Sequence, residues 1–147
     1  MSEVYSHMSK DELLEEVIRQ DKTVSNLRET IDGFTKKNAE AESLTNMGFW
    51  EWDILNDVVT WSDQVYRNYD LEIGTKITYD VVTNRVHPDD RSYHDKLTEE
   101  WIQNRGGEPY EYRIVIGNGD IRYIRGYGKV ECDSRGEPIK FLGATQD

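Results

Sequence analysis

Three places in this 147-residue chain have residue types suited to chemistry. His87-Pro88-Asp89-Asp90 sets an imidazole and two carboxylates side by side, a trio that can ligate a metal or work as an acid/base pair. The same residues also describe a helix start, because proline belongs in the first turn and carboxylates favour the positive end of the helix dipole. That structural reading explains all four residues and is the simpler one. His94 lies further along, within PDDRSYHDKLTEEW. Tyr93, Leu97 and Trp101 are spaced by four there, and His94 lies beside them, so it points toward the apolar side of a helix. A histidine in that position is a core residue bonded to backbone, a rim residue with access to water, or a ligand. Cys132 is the only cysteine, so neither an internal disulfide nor a cysteine metal cage can form, which suits a reducing compartment. No glycine-rich phosphate loop, no nucleophile beside a placed histidine and no metal-spaced cluster occurs. The chain itself therefore reads as a non-enzyme.

The elements that must position these residues change period near residue 45. Before it, Leu13, Val17, Gln20, Val24, Leu27, Ile31, Phe34, Asn38 and Ala41 recur in alternating steps of four and three, the seam of a heptad helix. Ser9 with Glu12 has the form of a capping box that starts it. A helix over 9–44 is ~54 Å long, too long to be packed along its whole length on a hundred-residue domain. A partner helix in a two-stranded coiled coil is expected. A single amphipathic helix folded back on its own domain is the alternative, which Leu14 and Ile18, off the seam, would suit. Residues 1–8 read as a flexible N-terminus. Amides at seam positions Gln20 and Asn38 weaken a coil while setting its register, as a helix that must shift requires.

Beyond Asn46 the pattern alternates. Phe49, Glu51 and Asp53 oppose Trp50, Trp52 and Ile54; Asn56-Asp57 turns the chain into Val58–Trp61, and Ser62 caps a helix. The tryptophans are core residues or stacking platforms for a ligand. A short helix is expected within Tyr79–Val86, and the long one follows His87. Then Tyr110, Tyr112, Ile114 and Ile116 share one strand face, Asn118-Gly119 has the residue types of a two-residue turn, and strands over 121–132 and 139–146 complete a meander. Gly126 and Gly128 on the face of Ile124 and Val130 imply close approach by a ligand, a helix or a partner sheet. Arg113, Arg122, Arg125 and Lys129 alternate with Glu111, Asp120 and Glu131, which reads as a solvated, salt-bridged face.

With 36% hydrophobic and 32% charged residues the chain suits one small domain with a polar appendage, split as 9–44 and 45–147. The net charge of −11 is spread over both parts and would be repelled by nucleic acid and anionic membranes. The N-terminus lacks the basic start and apolar stretch of a signal peptide, and no run approaches the ~20 apolar residues of a membrane span. A cytoplasmic location is expected.

GFWEWD from Gly48, VVTWS from Val58, HPDD from His87, YEYRIVIGNGD from Tyr110, IRYIRGYGKV from Ile121 and FLGATQD ending at Asp147 follow one another in an order that resembles a PAS domain. The subclass is the one with paired tryptophans in the first hairpin, the PAS fold-3 or PAS-PAC type of sensor histidine kinases and diguanylate cyclases. The resemblance implies an α+β fold, a five-stranded antiparallel sheet with helices on one face, preceded here by the long helix. It implies a two-component-type sensory module that reads a small ligand, redox or gas signal and passes it through a homodimeric coil and the PAS domain to an output domain or partner kinase. A pure dimerisation module with a filled core is the alternative. The pocket is expected among Val82, Val86, His94, Leu97, Trp101, Tyr112, Ile114 and Ile124, and the signal junction at Gly48 and Asp147, where the family's Asp opens the motif leading to the output. Haem-binding relatives hold iron through a histidine on this helix, and DRSYHD around His94 is similar to the DRSxHD context of oxygen-sensing PAS kinases. Relatives without haem share it too, and the bulky residues nearby argue for a small organic ligand or an empty pocket instead. Cys132 lies after the second long strand, away from the helix that carries the reactive cysteine of flavin-adduct photosensors.

Overall fold

The computed structural model describes residues 7–147, so most of the expected flexible N-terminus, 1–6, lies outside the described residues. The chain divides into two compact units at Asn38/Ala39. Helix α1 spans Lys10–Thr45. Its start is a reciprocal capping box: the Ser9 N–H donates to Glu12 Oε2 at 2.7 Å and the Glu12 N–H to Ser9 Oγ at 3.3 Å. No side chain of α1 is buried, and Val17, Val24, Leu27, Ile31 and Phe34 of the heptad seam are exposed.

The second unit is built on an antiparallel sheet of β1 (Met47–Asp53), β2 (Val58–Trp61), β3 (Tyr110–Val115), β4 (Ile121–Cys132) and β5 (Pro138–Gln146), in the order β2-β1-β5-β4-β3. Helices α2 (Asp63–Asn68), α3 (Tyr79–Arg85) and α4 (Arg91–Asn104) interrupt the meander between β2 and β3. The fold is the expected α+β one.

Register explains how helices and rings reach the sheet. Residues directly opposite on neighbouring strands share a face. One inward row runs Trp61–Trp50–Gly143–Gly128, the next Gly48–Thr145–Gly126–Tyr110. A Cβ on Gly143 would lie 2.1 Å from the Trp50 ring, one on Gly128 2.4 Å from the Trp101 ring, and one on Gly48 2.5 Å from the Val65 backbone of α2. The glycines thus mark where a ring or a helix lies directly on the sheet. The β3–β4 connection differs from the two-residue turn read from Asn118-Gly119. Ile116 pairs with Asp120, leaving a three-residue loop in which Gly119 takes φ 91°. Ser62 does stand at the start of α2, but its hydroxyl accepts from the Phe49 N–H at 3.1 Å instead of capping the helix.

His87-Pro88-Asp89-Asp90 forms a 3-10 turn leading into α4. The Asp90 carboxylate accepts from the Arg113 N–H, Nε and Nη2 at 2.8, 2.9 and 2.6 Å, while the His87 N–H donates to the Arg113 carbonyl at 2.8 Å. The motif clamps the start of α4 to β3. Of the stripe of charges expected on the sheet, Arg113 and Arg122 pair with Asp90 and Asp147, outside the stripe, and the register puts Arg122 opposite buried Ile114, on the inner face where it also donates to the Arg67 and Asn68 carbonyls.

Hydrogen bonds from Arg113 hold the Asp90 carboxyl down at about 2, against ~3.9 in an unfolded chain. A depressed carboxyl contributes stability that is complete above pH ~4 and disappears as pH falls toward 2. Asp90→Asn should therefore be less stable than the parent in urea at pH 7, and the gap between them should close between pH 4 and 2. A gap unchanged at pH 2.5 would show that the clamp does not act through this charge.

Candidate functional site

Between the helices and the inner sheet face lies a cavity of about 120 Å³. Each strand and helix contributes by alternation or helical period. The hairpin supplies Trp50, Trp52 and Trp61, β3 supplies Tyr110 and Tyr112, and β5 supplies Phe141 and Thr145. Helix α2 brings Val65, followed by Tyr69, α3 brings Tyr79 and Val82, and α4 brings His94, Thr98 and Trp101. All four tryptophans of the chain stand on this wall. Two of them meet neighbouring rings edge-on, Trp50 with Phe141 at 4.9 Å and Trp101 with Tyr110 at 5.0 Å between centroids.

The wall is apolar with a few polar groups set into it. The Tyr69 and Tyr112 hydroxyls hydrogen-bond to each other. Burial raises both phenols, and pushes Tyr110 up to about 12, so all three stay neutral at physiological pH. Tyr79 donates to Asp95 at 2.6 Å. His94 is buried with its ring 4.8 Å from that of Tyr112, and its Nδ1 has no hydrogen-bond partner, Asp95 Oδ1 being 3.8 Å away. Burial lowers the imidazole below its ordinary value despite that carboxylate, so the ring is neutral. Thr145 Oγ1 is likewise buried and unpartnered. No lysine or arginine lines the cavity, and Asp57 at its edge is exposed and accepts from Trp52 Nε1 at 3.0 Å.

Of the residues placed in the pocket from sequence, Val82, His94, Trp101 and Tyr112 stand on the wall. Val86, Ile114 and Ile124 do not: they form a packed cluster with Val65 and Tyr69 beside it. Val86 bridges Ile114 in extended conformation, which turns its side chain into that cluster. Leu97 is half-buried and off the wall, because Trp101 seated on Gly128 rotates α4 so that His94, Thr98 and Trp101 face inward and Tyr93 is exposed. Tyr69 and Thr145 were not anticipated. Thr145 shares a face with Phe141 and Gly143, a signal readable in FLGATQD; nothing local marks Tyr69. Cys132 packs, half-buried, against the Trp101–Val130–Phe141 cluster and does not line the cavity.

The cavity lies beside a junction. The Asn68 side chain donates to the Asn46 carbonyl at 2.8 Å and to the Thr145 carbonyl at 3.4 Å. Gln146 Nε2 donates to the Thr45 carbonyl at 3.0 Å, the Asp147 N–H to the Asn46 carbonyl at 3.3 Å, and Arg122 lies 3.6 Å from the Asp147 carboxylate. The end of β5 is thus tied to the end of α1, with Gly48 buried beneath α2 next to it.

A family model described as the PAS fold matches residues 58–145. The chain belongs to the PAS family. The chain is 27% identical over 107 residues to the probable diguanylate cyclase DgcE of Escherichia coli K12, a match covering 73% of the chain but 10% of that protein. The chain therefore spans about a tenth of that relative's length. A sensory box histidine kinase/response regulator from Burkholderia thailandensis superposes with a TM-score of 0.62 at 25% identity, covering 76% of this chain and 83% of that one. The N-terminal domain of a diguanylate cyclase with PAS/PAC sensor from Marinobacter aquaeolei superposes at 0.63 and 18% identity, over 69% and 94%. The PAS domain is a sensory module related to those of signalling proteins. Haem does not fit it as folded: about 120 Å³ is less than the ~150 Å³ cavity that takes up one benzene, and a porphyrin is several times larger. Among the described residues no helix is long and apolar enough to cross a membrane.

The glycines yield a paired test. A Cβ on Gly126 meets the Tyr112 ring at an ordinary 3.4 Å, whereas one on Gly128 collides with Trp101 and Phe141. Gly128→Ala should cost about 1–3 kcal/mol, measured by urea denaturation, while Gly126→Ala should leave stability close to the parent's. Equal costs would show that Trp101 does not rest on Gly128.

Proposed function

We propose that this PAS domain is the cytosolic input module of a dimeric signalling protein. It reads a small molecule in the aromatic cavity and passes its occupancy from β5 to α1. The observation that carries the reading is Thr145, whose unpartnered hydroxyl is buried on the cavity wall while the two residues after it hold the end of α1. A ligand that engages Thr145 or displaces Tyr69 acts directly on Asn68, which bonds both sides of the junction. Such a junction is a bistable element small enough to be biased by one ligand. The diguanylate cyclase and histidine kinase relatives support an output of one of those two kinds.

Dimerisation through α1 is supported by its 36 residues without a buried side chain and by the exposed apolar seam. Water-facing Val, Leu, Ile and Phe at heptad spacing are what a second copy of the helix would cover. Phe49, exposed on the outer sheet face, offers a second contact in the PAS domain.

Two outcomes are expected. Leu27→Asp/Ile31→Asp should halve the molecular weight in light scattering, from two chains to one; a variant that stays fully dimeric would place the interface elsewhere. With spin labels at residue 41 of each chain, the inter-label distance distribution should shift when a ligand confirmed by calorimetry is bound, and identical distributions would argue against transmission through α1.

A further inference from the structure

We infer that the cavity is built for an uncharged, single-ring aromatic molecule bearing a hydrogen-bonding substituent, which takes up the capacity left open at Thr145, His94 and the Tyr69–Tyr112 pair. The inference rests on the sensory reading above and names the class of ligand it reads.

Size comes first. A cavity of about 120 Å³ is somewhat smaller than the ~150 Å³ one that takes up benzene, which limits the ligand to a single six-membered ring with at most a small substituent. The wall then selects aromatic over saturated rings. Edges and faces of Trp50, Trp61, Trp101 and Tyr110 already stack in tilted and T-shaped pairs, and a flat ring joins such a set with added attraction over its area burial.

Charge is decided by what the wall lacks. No lysine or arginine is present to pair a carboxylate, and burial keeps His94 neutral. An ammonium group finds no buried carboxylate either, because Asp57 sits in solvent and is engaged by Trp52. An unpaired buried charge costs far more than one ring's contacts return.

The substituent follows from unmet hydrogen bonds. In the Tyr69–Tyr112 pair one hydroxyl donates, so the accepting phenol's own proton has no acceptor in the structure. Thr145 Oγ1, in a residue 3% exposed, and His94 Nδ1, in one 6% exposed, have no hydrogen-bond partner, the Asp95 carboxylate standing 3.8 Å from the latter. Buried polar groups in native proteins are almost always paired. Three of them on one wall therefore point to a polar group arriving from outside the chain.

The test uses the full chain and five probes of one size: benzamide and phenol, toluene, benzoate and benzylammonium. Binding is read by tryptophan fluorescence, to which only wall residues contribute, and by calorimetry. Benzamide and phenol should bind one per chain, toluene more weakly, and the two charged probes at least about tenfold more weakly. Thr145→Val, which keeps the shape and removes the hydroxyl, should raise the benzamide Kd about threefold to tenfold, with Thr145→Ser restoring it. Charged probes binding as well as benzamide, or a folded Thr145→Val with an unchanged Kd, would overturn the assignment. Should benzoate bind tightly, and lose its binding in Gly126→Val, the ligand class falls while a ligand-reading cavity stands. If no probe binds, and mass analysis of natively purified protein finds no retained molecule, the class and the sensory reading fall together.

Discussion

The arrangement of this domain depends on small residues placed where the inner face of the sheet is most crowded. Gly143 and Gly128 lie side by side on β5 and β4, and the indoles of Trp50 and Trp101 occupy the space their side chains would take. Gly48 does the same for the backbone of α2. Helix α4 consequently seats with Trp101 down, its ring held between Gly128 of the sheet and Gly107 just after the helix. Everything else on that helix, including which way His94 and Leu97 face, follows from that contact.

The cavity is the complement of these close approaches. Where Gly126 and Thr145 share the neighbouring row, the Tyr112 and Tyr110 rings stand no closer than ordinary contact to the place of a Gly126 side chain, and space is left between Trp61, Tyr112 and His94. Polar groups at such a place are costly when unpaired. Their neutrality reduces the cost: burial holds the phenols protonated and the imidazole uncharged. The charged groups are kept at the periphery, where Asp90 and Arg113 clamp the start of α4 to β3 and Arg122 faces Asp147. A wall that is neutral inside and ionic at its fastenings favours neutral ligands without loosening the frame.

Position in the chain links this cavity to its neighbours. β5 is a central strand, paired with β1 on one side and β4 on the other, and its last residues reach the point where α1 hands over to β1. A group bound against Thr145 is thus one residue from the hydrogen bonds that fix the helix end. Arg122 adds a second tie, donating to the carbonyls of Arg67 and Asn68 while facing the Asp147 carboxylate.

Much of this was legible in the sequence because it depends on local chemistry. The capping box at Ser9, the heptad seam, the alternation of the three long strands and the turn logic of His87-Pro88-Asp89-Asp90 are set by residues within a few positions of one another, and the order of motifs pointed to the family. The cavity was only half legible. Val82, His94, Trp101 and Tyr112 could be placed from period alone, but Val86, Ile114 and Ile124 have the same period and went to the packed core. What separates the two groups is where glycines on other strands let rings descend, a property of register across β1, β5 and β4. Tyr69 and Thr145 meet the cavity from segments 76 residues apart. Local pattern was enough for the elements and their faces; which inward side chains fill the core and which border open space depends on contacts between strands whose pairing no local pattern specifies.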